Sequence, residues 1–178
     1  MKRSIRLCSM LIMACVLVAA AAPLEALTVD PFNAIGSGTS FTTDCTPASA
    51  SCSATFSGRV RASQAGNFLV SATLTINHSA GFVCIDAACT NQCFGASGTG
   101  TLNNPKGDSI AFGEAGLLCS IAPTFVPETF SGTYFIEGGT GTFANEIGSG
   151  VATASVNGST IATVPLVLFS LNGTIGTN

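Results

Sequence analysis

The sequence predicts an all-β domain: an antiparallel, closed β-barrel of about eight strands with disulfide-tied loops. Three observations carry this prediction. First, helix signals are nearly absent after the N-terminal segment, because no helical apolar periodicity persists for three turns. Second, strand alternation does persist. In Phe68–Asn77, "FLVSATLTIN", Val70, Ala72, Leu74 and Ile76 point one way and Leu69, Ser71, Thr73 and Thr75 the other. Third, glycine recurs every few residues within these stretches. Such strands pack a flat two-sheet core poorly. They suit a barrel, where strands bend sharply and the interior takes small side chains. A two-sheet sandwich is the alternative.

Residues 1–26 precede this domain. Lys2, Arg3 and Arg6 form a basic start, Leu7–Ala22 an apolar run, and Pro23–Ala26 a polar break. This is the layout of a signal peptide cleaved after Ala26, which predicts a secreted or periplasmic protein. The run is short for a spanning helix and no later segment is continuously apolar, so no stable membrane insertion is expected. An uncleaved anchor, or a lipoprotein cut at the loosely lipobox-like Ile12–Cys15, are the alternatives. Residues 27–178 are read as a single β-barrel domain, with no linker or fixed-period repeat.

Along that domain, residues 27–52 hold an extended start and a small-residue loop. Ser53–Ala62 is a strand with Phe56 and Val60 in its alternation, and Gln64–Asn67 turns it into Phe68–Asn77. Residues 78–93 are read as a cysteine-bearing excursion. Phe94–Leu102 follows, then the strong turn "NNPKGD" at Asn103–Asp108, then Ser109–Ser120, bent at Gly113 and Gly116. Phe130–Glu137, Gly148–Val156 and Thr160–Ile175 complete the set. Asn157-Gly158 is a hairpin signal between the last two, and Val164, before a proline, marks a kink.

Cysteine usage agrees with export. Cys45, Cys52, Cys84, Cys89, Cys93 and Cys119 remain after residue 26, an even number suited to an oxidising compartment. Cys45–Cys52 within one loop is the first expected pair, with Cys89–Cys93 and Cys84–Cys119 completing the set. A zinc site is the alternative. The spacing fits paired C-x-x-C ligands poorly, and the only histidine, His78, lies outside the cluster, so no metal is expected. Three cations, Arg59, Arg61 and Lys106, face eight carboxylates in residues 27–178, a net charge of −5. With no basic patch to grip phosphates, nucleic acid is excluded as an expected partner.

The run Gly138-Gly139-Thr140-Gly141 invites a nucleotide reading. A dinucleotide fingerprint must open a helix, and Asn145-Glu-Ile-Gly-Ser-Gly150 is not one; a P-loop needs a closing Gly-Lys-Ser/Thr that is missing. The run is read instead as a corner between strands, with Phe143 re-entering the wall, and no cofactor is expected. The wider pattern Phe130-x-Gly132-x-Tyr134-x-Ile136-x-Gly-Gly-Thr-Gly141-x-Phe143, continuing to Gly148-x-Gly150 and Phe169-x3-Gly173-Thr-Ile175, resembles the C-terminal half of the allene oxide cyclase barrel-like proteins, which include dirigent proteins. The resemblance covers about residues 129–176. It implies an eight-stranded antiparallel barrel with a central cavity, and it transfers no catalytic residue.

Enzyme signals are weak. A Ser-His-Asp relay would need His78, and no G-x-S-x-G elbow is present. Arg59 and Arg61 share one strand face, Glu137 stands beside the glycine corner, and Tyr134 is the only tyrosine. These four are the candidate cavity residues, each also readable as a wall or surface residue. The expected role is binding of a small apolar or aromatic ligand without catalysis. A dirigent- or cyclase-like protein steering a reactive intermediate is the first alternative. A structural or self-associating exported protein is the second, motivated by the scarcity of charge.

Overall fold

A computed structural model of the chain describes residues 28–43, 49–63, 65–121, 126–157 and 166–177. Eight strands run in sequence order: β1 Val29–Thr43, β2 Ser51–Ala62, β3 Gly66–Cys84, β4 Asn91–Asn103, β5 Ser109–Ile121, β6 Val126–Gly139, β7 Glu146–Asn157 and β8 Leu166–Thr177. Each pairs antiparallel with the next, and β8 pairs with β1 to close the barrel. The predicted signal peptide, Cys45, the turn at Gly158 and the kink at Val164 lie outside the described residues.

The pairing shows how steeply the strands are tilted. Phe32 opposes Gly173, and the ring of partners continues through Gly150, Tyr134, Glu114, Gly98, Leu74 and Ala54. Ala54 opposes Thr42, so the ring returns to β1 ten residues beyond Phe32. Closure with such a stagger requires tilted, coiled strands. Glycine makes the coiling possible. At the opposed pair Gly116–Gly132, a methyl on Gly116 would run into the Ser131 carbonyl and lie 2.5 Å from the Gly132 Cα.

Alternation sorts the side chains as expected. Val70, Ala72 and Ile76 of β3 face the core, and Leu69, Ser71, Thr73 and Thr75 face outward. Aromatic rings fill much of the interior, and several lie over a glycine of the neighbouring strand. A methyl on Gly100 would overlap the Phe112 ring, and one on Gly36 or Gly150 would stand 2.7 Å from Phe169 or Tyr134. Each of these glycines is the direct cross-strand partner of its aromatic. The small residues therefore create the volume that the large ones occupy.

The barrel has two unlike ends. The connections after β2, β4 and β6, together with both ends of the described chain, form one end, here the lower. There, Gly138–Gly141 is a corner, but not the simple strand-to-strand turn expected. The Phe112–Ile136 and Ala111–Gly138 pairs leave Glu137 as the extra residue of a β-bulge, and Gly138 has φ 131°. A single 3₁₀ turn, Gly141–Phe143, follows. Phe143 does not re-enter the wall. It tucks under the barrel, packs on the core and meets the Phe68 ring at 5.8 Å.

Hydrogen bonds lock this corner to the β4–β5 turn. Thr140 N–H donates to the Ser109 carbonyl (2.9 Å), and Thr140 Oγ1 accepts the Ser109 N–H (3.0 Å). Thr142 Oγ1 donates to Asp108 Oδ2 at 3.0 Å. Asn104 Oδ1 holds the turn itself by accepting from the Lys106 and Asp108 amides, both at 2.9 Å. Gly141, at φ 61°, sits so close to the Asp108 carboxylate that a Cβ would collide with it. Left-handed backbone and close approach together demand glycine there.

At the upper end β3 is longer than expected. A register shift between Asn77 and Phe82, with Gly81 at φ 82°, lets pairing resume at Phe82–Phe94 and run to Cys84. Only residues 85–90 remain a loop. This changes the disulfides. Cys84 bonds Cys89 and Cys93 bonds Cys119, in place of the expected Cys89–Cys93 and Cys84–Cys119. Cys93 and Cys119 are direct partners on β4 and β5. Cys84 is on β3, two strands from Cys119 and thus roughly 10 Å away, beyond disulfide reach. Cys52 is also disulfide-bonded.

Candidate functional site

The interior is unevenly filled. Toward the lower end, Phe32, Leu102, Ile110 and Ile136 pack tightly, each at most 5% exposed. Toward the upper end lies a cavity of about 90 Å³, partly open to solvent. The phenyl rings of Phe56, Phe112, Phe130 and Phe169 line it, with aliphatic side chains between them. Phe56 and Phe169 meet edge to face at 4.8 Å. These residues converge from β2, β5, β6 and β8 because each occupies an inward position of its strand.

One charged side chain lines this cavity among the described residues: Glu114. It sits on the inward row of β5, between Phe112 and Leu118, and opposes Tyr134 of β6 in register. Desolvation by the apolar walls pushes its carboxyl up to about 6 from the ordinary 4.5. The sequence reading missed Glu114. The signal was present in Ile110, Phe112, Glu114, Gly116 and Leu118, an inward row in which a carboxylate takes an apolar position.

Of the four candidate cavity residues, only Tyr134 points inward. It is 1% exposed, lies 6.2 Å from the Phe32 ring, and its hydroxyl finds no hydrogen-bond partner among the described residues. Burial pushes that hydroxyl up to about 12. Arg59 and Arg61 are exposed on the outer wall, because Val60 and Ala62 take the inward positions of β2. With the exposed Ile35, Leu69 and Leu168 they line a depression on the outside of the barrel. Glu137 is also exposed, on the outward row of β6 with Phe135. The structure therefore does not bring these four together. At the lower end Glu146 is held above the usual carboxylate range, first by desolvation and then by the Asp30 carboxylate.

His78 takes a structural position. Its Nδ1 lies 3.0 Å from the Ser49 carbonyl and its ring 4.6 Å from that of Phe94. Asp86 is likewise engaged. Its carboxylate accepts from the Thr90 amide (2.9 Å), the Thr90 hydroxyl (2.8 Å) and the Asn91 amide (2.8 Å), which hold it down at about 2. Neither is placed to work on a molecule in the cavity. No group of metal-ligating side chains occurs among the described residues.

No family profile and no curated protein matches the sequence. Among solved structures, that of the pterocarpan synthase dirigent protein GePTS1 is similar over 92% of this chain and 99% of that chain. The two share 8% sequence identity at a TM-score of 0.41. A likeness at that level carries no residue or activity across. The barrel stands on its own strand pairing, and the cavity on its own lining.

Proposed function

We propose that the barrel binds one small, largely apolar or aromatic molecule in its upper cavity and does no chemistry on it. The observation that carries this reading is the unfilled, phenyl-lined space in an interior that is otherwise tightly packed. Pockets for drug-sized ligands run to about 300–1,000 Å³. The far smaller space here limits the buried part of a ligand to about one ring. Exported disulfide-tied barrels of this size are suited to carrying one such ligand.

The test is titration of the intact protein with benzyl alcohol, followed by NMR. Resonance shifts centred on Phe56, Phe112, Phe130 and Phe169, and weakened in the cavity-filling variant Ala154→Leu, are expected. Shifts confined to the outer wall, or none, refute the reading. Glu114 favours a second reading, in which the cavity steers a reactive intermediate and this carboxyl holds or moves its proton. Under that reading bound molecules are converted, and conversion is lost in Glu114→Gln. Ligand recovered unchanged by mass spectrometry leaves the carrier reading in place.

A further inference from the structure

The carboxyl of Glu114 narrows the class of ligand. We infer that the cavity selects a small organic cation: an ammonium group on an apolar or aromatic body, with Glu114 as its counter-ion. This rests on the cavity reading above and goes beyond it.

Three observations carry the inference. Among the described residues Glu114 is the one charged group in the lining, so no described wall residue neutralises it. The cations of residues 27–178 are elsewhere. Arg59 and Arg61 stand on the outer wall, and Lys106 is exposed in the β4–β5 turn at the lower end. A carboxylate left unpaired beside apolar walls is costly, and a bound cation removes that cost. Finally, the rest of the lining is attractive to a cation. Four phenyl rings surround the space, and the negative faces of such rings draw in alkylammonium groups that have shed their water. Anions meet the opposite field, and neutral ligands gain nothing from the charge.

The experiment compares three probes of nearly one shape: benzylammonium, benzyl alcohol and benzoate. Their binding to the intact, disulfide-bonded protein at neutral pH is read by NMR titration. Benzylammonium is expected to bind about 10- to 100-fold more tightly than benzyl alcohol, the range set by one hydrogen bond to a charged group. Benzoate is expected to be excluded. Glu114→Gln keeps the shape and removes the charge. It should erase the preference for the ammonium over the alcohol. Equal binding of ammonium and alcohol overturns the inference and leaves the carrier reading standing, as does a preference that survives Glu114→Gln. Binding of none of the three overturns both. The wild-type comparison decides the matter even if the variant fails to fold.

Discussion

Glu114→Gln should make the protein more stable at neutral and alkaline pH and leave it unchanged in acid. The wall raises the Glu114 carboxyl from 4.5 to about 6 in the folded state. Between these values the folded protein holds a proton that the unfolded chain has released. Stability from this site is therefore complete below about pH 4.5, falls as pH rises through 6, and is absent above it. The difference corresponds to about 2 kcal/mol. Glutamine mimics the protonated form at every pH. At pH 8 the variant should exceed the wild type by about 2 kcal/mol, or about 4–8 °C in melting temperature for a domain of this size. At pH 4 the two should coincide. The assay is urea or thermal unfolding at several pH values with disulfides intact. Other carboxyls, Glu146 among them, titrate alike in both proteins and cancel in the comparison. A variant no more stable than the wild type at pH 8, or an advantage that does not change with pH, would refute the argument.

Three further outcomes are expected. Gly116→Ala should destabilise by about 1–3 kcal/mol in urea unfolding, because its methyl meets the Ser131 carbonyl and the Gly132 Cα, groups that cannot move without the strands. Peptide mapping without reduction should recover Cys84–Cys89 and Cys93–Cys119, and replacing both members of the second pair by serine should cost about 3.5 kcal/mol, more than the about 2 kcal/mol for the first, since it closes a span of 26 residues against 5. Asp86→Ala should speed amide exchange at Thr90 and Asn91. In the wild type, the stability that Asp86 lends the 85–90 loop should persist above its unfolded value of 3.8 and disappear as pH falls toward 2.

Much of this architecture is legible in the sequence alone. Val70, Ala72 and Ile76 announce an inward face by alternation alone, and alternation is a local property. Tyr134 could be placed beside Ile136 by the same logic. So could Arg59 and Arg61, since Phe56 and Val60 already claimed the other face of β2. What the sequence does not state is register, a property of two strands at once. Cys93 finds Cys119 only because β4 and β5 align at that residue. Gly100 makes room for Phe112 for the same reason. The bulge at Glu137, and the shift that extends β3 to Cys84, are also events of pairing. Glu114 is a different case. Its inward position could be read from Phe112 and Leu118, but its isolation could not, because that depends on what every other strand presents to the cavity.

The lower end sets how the molecule can be held. Thr28 and Thr177 lie side by side there, their hydroxyls 3.5 Å apart, at the end of the barrel that also carries Phe143 and the β4–β5 turn. Anything attached to either end of the barrel, whether a tag, a surface tether or a fused domain, emerges on the side away from the mouth. The barrel can be immobilised from below with its upper end left free, and a biosensor or affinity support could hold it through Thr28 or Thr177 on the side away from the cavity.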